Sequence, residues 1–378
     1  MGREKIKIWE YFSDLETTRE YDGYFYSVRE ALIIVILGSI CGLRNTNQIH
    51  QWATSQRVRE FLSKYFKINT VPCYYWLLCL LKLIKPESLN KCFMKWAQSL
   101  REGVGEGNTL SFDGKTIRST LKMDSFDNPL HIISAQLAEL GITLGQKAVT
   151  EKSNEIPAMR ELLEILTIKG CIVVADALNC QKETAKTIIE GKGDYLLSVK
   201  DNQQTLKEDI EGFVQDEDLR KTMDTHSTID KTSGRIERRV AYTSSDIGWL
   251  YGKEEWEKLA CIGAVNTQFS SKNGETNEWH YYISSRKLTA QELHKHARLE
   301  WSVESMHWLL DVHFGEDFCR VEDRNVQQNL NIVRKIALNT IKGYKNKTAS
   351  KRPVSKLMFD CLLDPENILA FLAVNDQN

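Results

Sequence analysis

The sequence lacks three features that would assign it to a class at once: net charge, paired cysteines and a long hydrophobic run. Its 50 Lys and Arg residues nearly balance 51 Asp and Glu residues, which leaves a net charge of -1. A chain without an overall basic field does not attract nucleic acid as a whole. Any contact with DNA must therefore come from local basic patches.

The 9 cysteines are scattered, odd in number and without a Cys-x-x-Cys pair. This pattern excludes a disulfide framework or a zinc knuckle and is typical of a reducing cytosol. The longest uncharged stretch, Ala31 to Leu43, is shorter than the about 20 apolar residues that span a bilayer. It also follows the acidic residues Asp14, Glu16 and Glu20, which a signal peptide would not have before its apolar region. We therefore expect a cytoplasmic protein in which this stretch is a buried helix.

A chain of 378 residues is long enough for two or three domains with separate cores. The first part reads as helices and ends at a glycine-containing linker, residues 101–108. The predicted division is an N-terminal helical domain (1–105), the first part of a catalytic core (106–205), a β-rich insertion (206–285), and a helical remainder of the core with a basic tail (286–378).

Strands and helices alternate after the linker. Strands are predicted at 109–113, 130–138 and 141–150, the last two joined as an antiparallel hairpin. The continuously apolar runs at 171–176 and 194–200 are typical of strands covered on both faces, and each follows a predicted helix. This alternation predicts an α/β fold whose sheet contains parallel pairs.

Two of the predicted strands end in an aspartate. Asp113 closes the run Thr-Leu-Ser-Phe-Asp, and Asp176 closes the run Cys-Ile-Val-Val-Ala-Asp. Taken singly, Asp113 followed by Gly114 is typical of a tight turn and Asp176 of a helix N-cap. Their shared position at the carboxyl ends of strands in one α/β unit favours a ligand site instead.

A third acidic residue, Glu304, lies in a predicted helix whose apolar side chains cover most of its perimeter, so the helix is expected to be mostly buried. Glu300, Glu304, His307 and Asp311 share an arc of about 60° on that helix. The arc is either a solvent-facing strip or a set of side chains that faces the two aspartates. In the second case three carboxylates could hold magnesium or manganese, as a two-metal nuclease or strand-transfer site requires.

Basic residues are concentrated in two places. Nine Lys and Arg residues and no acidic residue lie between Arg324 and Lys356, a block that is either a phosphate-binding surface or a solubilising tail. The run Gly-Arg-Ile-Glu-Arg-Arg places Arg235, Arg238 and Arg239 close together on a predicted strand. Both places are candidate contacts for DNA.

Several segments in the same order carry a specific resemblance. They are FDGKTIRST, EKSNEIPA, a strand ending in DAL with CQKETA after it, GDYLLSVKDNQ, GRIERR and WSVESMHWLLDVHFGEDFCR. Together they run nearly from end to end of the chain. On these segments the chain resembles the ISAs-type insertion-sequence transposases, which include the H-repeat-associated proteins and belong to the D-D-E superfamily. The resemblance implies a ribonuclease H-like mixed sheet flanked by helices, with an N-terminal helical domain and a β-rich insertion.

The resemblance also implies the chemistry. Asp113, Asp176 and Glu304 occupy the positions of the catalytic triad, which would bind two Mg²⁺ or Mn²⁺ ions. Such a site cuts the element's ends and joins the new 3′-OH to target DNA. The chain departs from the family pattern at several positions, which are Asp201, Ser233, Glu300, Ser305 and Asp311. None of these departures removes a triad acid, but they leave open a domesticated or decayed copy that only binds DNA.

Further residues are predicted to contact DNA. Beside the three arginines above, the candidates for the phosphate backbone are Lys115, Lys200, Asn202, Gln203 and Arg320. Trp249 or Trp279 in the insertion could stack on an unpaired base, although a buried tryptophan is the commoner case. The N-terminal helices around the turn Cys-Gly-Leu-Arg-Asn-Thr-Asn are either a helix-turn-helix-like reader of terminal inverted repeats or a packed helical cap. By analogy with the family, the synaptic complex is a homodimer, associated with the nucleoid when bound to DNA.

Overall fold

The N-terminal part of the computed structural model consists of packed helices. The described residues are 7–20, 25–101, 106–122, 129–149, 155–232, 235–271 and 274–376. The helices before the sheet are α1 (Val28–Ile40), α2 (Thr46–Thr54), α3 (Gln56–Phe61), α4 (Tyr74–Leu83) and α5 (Pro86–Ser99). Because no charged residue follows Glu30 in α1, every side chain from Ala31 to Ile40 is buried, as predicted. The N-cap of α2 is Asn45, whose side chain accepts a hydrogen bond from Gln48 N at 2.9 Å.

A mixed sheet follows. Its first strands are β1 (Asn108–Thr116), β2 (His131–Leu137), β3 (Ile142–Val149), β4 (Cys171–Ala175) and β5 (Asp194–Val199), in the spatial order β3-β2-β1-β4-β5. β1, β2 and β3 are antiparallel neighbours, whereas β4 is parallel to both β1 and β5. The predicted ribonuclease H-like mixed sheet is confirmed.

The β-rich insertion continues the same sheet. After α8 (Gln204–Gln215) and α9 (Glu217–Lys221) come β6 (Asp224–Thr232), β7 (Arg235–Ser244), β8 (Cys261–Ser271) and β9 (Gly274–Ser284). β9 pairs antiparallel with β5, so the described strands form one nine-stranded sheet. Strand β6 was not predicted, because its mostly polar residues show no alternation of apolar and polar positions.

Helices cover both faces of the sheet. They are α6 (Glu155–Ile165), α7 (Lys182–Glu190), α10 (Ala290–Glu300), α11 (Ser302–Val312) and α12 (Arg324–Thr348), and the C-terminal part adds α13 (Val354–Leu363) and α14 (Asn367–Asp376). The main core joins the N-terminal helices to α6, α12 and one face of the sheet. A second core on the other face combines side chains of β4, β5, β7, β8, β9 and α10. Central strands and strands of the insertion contribute to this second core, so the insertion packs as part of the sheet. The predicted division of the chain into four parts remains a prediction.

Candidate active site

Parallel pairing of β1 with β4 places Asp113 beside Asp176. The register sets Phe112 opposite Ala175, so the next residue along each strand is an aspartate. Side chains at matching positions of parallel neighbours lie on the same face of the sheet. The two buried apolar residues thus precede two acids that reach solvent, with 38% of the Asp113 side chain exposed.

The turn that carries Asp176 is held by side-chain amides. Asn179 Nδ2 donates to Asp176 Oδ1 at 3.0 Å. From the residues after β5, Asn202 Nδ2 donates to the carbonyl oxygen of Ala177 at 2.6 Å, and Gln203 Nε2 donates to that of Cys180 at 3.0 Å. Asn202 and Gln203 were predicted to contact DNA, and in this structure both amides instead bind the turn after β4.

Helix α11 brings Glu304 to the same region, because it packs on β1 and β2. His307, nearly one turn after Glu304, has its Nε2 atom 3.4 Å from Oδ2 of Asp113. Glu304 is exposed, and its negative charge acts together with those of Asp113 and Asp176 on a nearby carboxyl group, that of Glu300. Of the polar arc, His307 lies against Asp113 and Asp311 pairs with Lys115, whereas Glu304 is exposed. A place for Glu304 at a cation site remains a prediction.

Glu300 is a fourth carboxyl group in the cluster. It is the last residue of α10 rather than part of the helix that carries Glu304. The pKa of Glu300 is raised from an ordinary 4.5 to about 7, mainly by burial and then by the negative charges of Asp176, Glu304 and Asp113, which the positive charge of Lys200 opposes. One end of the sheet thus concentrates negative charge.

A fifth carboxyl group, that of Glu155, lies behind the cluster. Glu155 is buried, and its Oε2 atom is 3.1 Å from Nε2 of His131. The pKa of Asp176 is raised mainly by burial and also by the negative charge of Glu155. A Cβ atom at Gly114 would lie 2.6 Å from His131 Nε2 and 2.8 Å from Glu155 Oε2, so this approach requires glycine. The sequence does not single out Glu155, since a glutamate in the first turn of a helix is common.

The donor set suits a hard divalent cation. Asp113, Asp176 and Glu304 offer only carboxylate oxygens, the ligands that Mg²⁺ and Mn²⁺ prefer. The pKa values of Asp176 and Glu300 are raised mainly by burial and in addition by the neighbouring carboxylates, whose repulsion a bound cation would relieve. Within the described residues, no three His, Cys, Asp or Glu side chains stand close enough to hold a metal ion without rearranging. The chemistry of the donors fits the ion, and their side chains would have to converge on it.

Lys115, predicted to contact phosphate, lies in an ion-pair cluster. Its side chain is 14% exposed, and its ammonium group pairs with Asp311, with Glu316 at 3.1 Å and with Asp317 at 3.7 Å. Burial opposes the positive charge, but the negative charges of Glu316 and Asp311 outweigh it and raise the pKa of Lys115. A phosphate contact by Lys115 would require these ion pairs to open.

The other predicted basic contacts differ in their surroundings. Lys200 is exposed at the end of β5, close enough to Glu300 to affect its pKa, and Arg320 is exposed after α11. Arg238 is exposed on β7, whereas Arg239 pairs with Glu237 and with Asp230 at 3.2 Å. The backbone of Arg235 begins β7, and its side chain lies outside the described residues.

The aromatic residues of the insertion are partly engaged. Trp249 stacks on Phe213 with ring centroids 4.6 Å apart, and Trp279 stacks between Tyr242 and Tyr281 at 5.8 and 6.5 Å. Their role in base stacking remains a prediction.

The expectation that the Glu304 helix is mostly buried was wrong. Trp301, next to its first residue, is 62% exposed, and Trp308 within it is 57% exposed. Because α11 rests on the sheet by one face only, the opposite face reaches solvent. Apolar periodicity could not reveal this, since tryptophan is apolar wherever it points.

Two other predicted DNA-contact regions are partly used for packing. In the basic block, Arg334 and Lys335 are only 3% and 1% exposed, so these two are not surface contacts. In the N-terminal turn, the guanidinium group of Arg44 donates to the carbonyl oxygens of Val312 at 2.7 Å and His313 at 3.1 Å. The turn thus contacts the C-terminal end of α11, and a helix-turn-helix role for its helices remains a prediction.

Comparison with known proteins assigns the family. The family described as "Transposase DDE domain" matches residues 112–340, and its associated N-terminal family matches residues 9–97. The chain is 30% identical over 372 residues to "Putative transposase YncI" of Escherichia coli O157:H7, covering 96% of this chain and 94% of that protein. It is 29% identical over 366 residues to "H repeat-associated putative transposase YhhI" of Escherichia coli K12, covering 94% and 96%.

A solved structure of the piggyBac transposase synaptic complex with hairpin DNA aligns with 99% of this chain and 81% of that one, with a TM-score of 0.43 and 10% identity. Among the described residues, no helix combines the length and the apolar character needed to cross a membrane. Strands β2 to β9, Asp113, Asp176 and the helix that carries Glu304 fall within the region matched by the DDE domain. The chain therefore belongs to the DDE-domain transposases of the H-repeat type.

Proposed function

We propose that this transposase cuts the ends of a DNA element and joins the resulting 3′-OH to target DNA, with Asp113, Asp176 and Glu304 as its catalytic acids. The observation that carries the proposal is the register of β1 against β4, which sets the two aspartates side by side. Helix α11, which packs on β1 and β2, carries the third acid, Glu304. Its negative charge acts on the carboxyl group of Glu300, as do the charges of the two aspartates.

Each acid would act by holding a cation against the DNA backbone. Asp113, Asp176 and Glu304 would hold the divalent ions through their carboxylate oxygens. When bound, Mg²⁺ or Mn²⁺ lowers the pKa of an attacking water or 3′-OH and offsets charge on the phosphate. The remaining contribution of the protein is to fix the strand end in line for attack.

The exposed cations near the acids would bind the phosphate backbone. Lys200 follows β5 directly beside the cluster and Arg320 is exposed after α11, whereas Arg238 is exposed on β7, four strands from β4. The partners would be the terminal inverted repeats and the target DNA, held by a homodimer in the cytoplasm at the nucleoid. Local patches would supply this affinity, because the whole chain has no excess of positive charge.

The test uses duplexes that carry the short imperfect inverted repeats expected to flank the gene. With Mg²⁺, the wild-type protein should nick these ends and form joined products. Asp113→Asn, Asp176→Asn and Glu304→Gln should each lower cleavage by about 100-fold or more, since each removes a cation ligand worth several kcal/mol in the transition state. DNA binding should persist in all three. Asp218→Asn, an exposed acid on α9, is the matched control and should cleave normally.

Three outcomes would contradict the proposal. Binding by the wild-type protein with no nicks under any divalent ion would identify a DNA-binding protein without catalysis. Nicks that never lead to joined products would identify a nuclease. Cleavage by Asp113→Asn at the wild-type rate would remove the aspartate pair from the mechanism.

A further inference from the structure

Helix α11 and strand β1 contact each other through two pairs of side chains, and the distance between the pairs is nearly the same on the helix as on the strand. Asp113 and Lys115 are two residues apart on β1, so their side chains leave the same face about 6.7 Å apart. His307 and Asp311 are four residues apart on α11, one above the other and separated by about 6.0 Å along the helix axis. His307 contacts Asp113 at 3.4 Å, and Asp311 pairs with Lys115.

Two further contacts lie where α10 passes into α11 beside the sheet, the first made by Leu299 of α10 and the second by Ser302, the first residue of α11. The Ser111 hydroxyl donates to the carbonyl oxygen of Leu299 at 2.9 Å, and the Ser302 hydroxyl donates to Oε1 of Gln136 at 3.3 Å. Gln136 is the pairing partner of Ser111 on β2. Ser302, His307 and Asp311 thus place three points of α11 against β1 and β2, from its first residue to its last turn.

The two contacts can form together in one alignment only. If α11 slipped by one turn in one direction, Val303 would face Asp113 and His307 would face Lys115. If it slipped the other way, Asp311 would face Asp113, and two like charges would meet. Neither alternative offers a pair of complementary groups. Because Lys115 is largely buried, the loss of its acidic partners would not be made good by water. The imidazole nitrogens of His307 are buried without a hydrogen bond to any described residue, and Asp113 at 3.4 Å is the acid that faces them.

We propose that Asp311 and His307, through Lys115 and Asp113, fix the position of α11 along β1 and thereby place Glu304 at the cation site. Asp311, His307 and Lys115 are positioning residues, whereas Asp113 is one of the proposed catalytic acids. Glu304 lies three residues before His307, about 4.5 Å along the axis, so the alignment of one determines the height of the other above the sheet. The inference rests on the proposed function, because it assigns these residues to a site built by the three acids.

The surroundings explain why the pair tolerates burial. Besides Asp311, the ammonium group of Lys115 has Glu316 at 3.1 Å and Asp317 at 3.7 Å. Glu316 is itself fully buried and accepts a hydrogen bond from Asn331 Nδ2 at 2.6 Å. The cluster thus connects β1, α11, the turn after α11 and α12. An exposed ion pair would constrain α11 far less.

The test locates Glu304 relative to the bound cation rather than measuring activity alone. Fe²⁺ replaces Mg²⁺ in the folded protein, and ascorbate with hydrogen peroxide then cuts the backbone near the ion. The wild-type chain should be cut near residues 113, 176 and 304. In Lys115→Gln and Asp311→Asn, cutting near 304 should be lost while cutting near 113 and 176 persists. With Mg²⁺, kcat for DNA cleavage should fall by about 100-fold and KM should stay unchanged.

The exchanged pair Lys115→Asp with Asp311→Lys should restore cutting near 304 and most of kcat. The new lysine would keep the same acidic neighbours, since the negative charges of Asp317 and Glu316 already act on position 311. The matched control exchanges Lys182 and Glu255, an ion pair between α7 and the insertion, and should leave the cutting pattern unchanged. His307→Asn gives a second variant that keeps a polar side chain and should weaken the cut near 304.

The outcomes separate this inference from the proposed function. If the single variants remain folded and are cut near 304 as in the wild type, the positioning role is overturned. If the exchanged pair fails to restore the cut while both single variants lose it, the pairing itself is overturned. If the wild-type chain is cut near none of the three acids, the cation site fails, and with it the proposed function. Thermal denaturation of every variant without metal shows which of them are folded.

Discussion

Four carboxyl groups share one end of the central sheet, and their repulsion is felt most strongly at Glu300. Its pKa is raised from 4.5 to about 7 by burial and then by the charges of Asp176, Glu304 and Asp113. Between these pH values the folded protein keeps a proton that the unfolded chain has released. The stabilising effect of that proton is complete below pH 4.5 and is lost as the pH rises through about 7.

The variant Glu300→Gln should remove this pH dependence. Without metal, it should be more stable than the wild type at pH 8 by at most about 3 kcal/mol, and the gap should close below pH 4.5. Urea unfolding in EDTA at pH 4.5, 6 and 8 measures the difference. Glu164→Gln, an exposed glutamate on α6, is the control and should follow the wild-type curve. Identical pH profiles for Glu300→Gln and the wild type would show that folding does not raise the pKa of Glu300.

At the residue scale, the sequence predicted the acids but not their neighbours. Asp113 and Asp176 could be recognised because each ends an apolar run, and position along the chain is enough to show that. The contacts of Lys115 with Asp311 and of Asn202 with Ala177 join segments that are far apart in sequence or lie in irregular turns. No periodicity encodes such contacts, because they depend on which loops the fold brings together.

At the element scale, the turn after β4 depends on the residues that follow β5. Asn202 and Gln203 bind the carbonyl oxygens of Ala177 and Cys180, so the two neighbouring strand ends are fixed to each other. These strand ends carry Asp176 and Lys200 respectively. The amides thus connect a proposed cation ligand to a proposed phosphate contact through the backbone.

Asn202→Ala should therefore impair catalysis rather than DNA affinity. It leaves a carbonyl oxygen without its partner, at a cost of about 1 kcal/mol, and loosens the turn that holds Asp176. Cleavage at saturating DNA should fall, while the dissociation constant and its salt dependence stay at wild-type values. Arg238→Ala is the contrasting variant, and it should weaken binding and lower the salt slope by about 1. A raised dissociation constant in Asn202→Ala, with cleavage at saturating DNA unchanged, would instead restore the predicted contact between Asn202 and DNA.

Element prediction succeeded where burial is uniform and failed where it is not. Helix α1 and strands β4 and β5 are apolar on all sides and were placed correctly from that feature. Strand β6 has few apolar residues because it lies at the edge of the sheet. Trp301, just before α11, and Trp308 within it are exposed because only one face of this helix is packed. Edge strands and one-sided helices do not show their neighbours in their own composition.

At the scale of the whole molecule, the strands of the insertion continue the central sheet. Four backbone pairs join β5 to β9, from Leu196 opposite Ser284 to Val199 opposite Tyr281. The second core places Ile172 and Leu196 of the central strands with Val265 and Tyr282 of the insertion. Removal of the insertion would expose the edge of β5 and one face of β4. Segment composition suggested a separate unit, because it does not show which strand pairs with which.

The insertion and the central strands should therefore unfold together. Hydrogen exchange measured in increasing urea should give the same midpoint for peptides from β8 and β9 as for peptides from β4 and β5, since they share one ladder and one core. The short helix α9, which has no buried residue, serves as the control and should exchange without urea. If the peptides of the insertion exchanged at lower urea than those of β4 and β5, residues 206–285 would form a domain of their own, as the composition of the sequence first suggested.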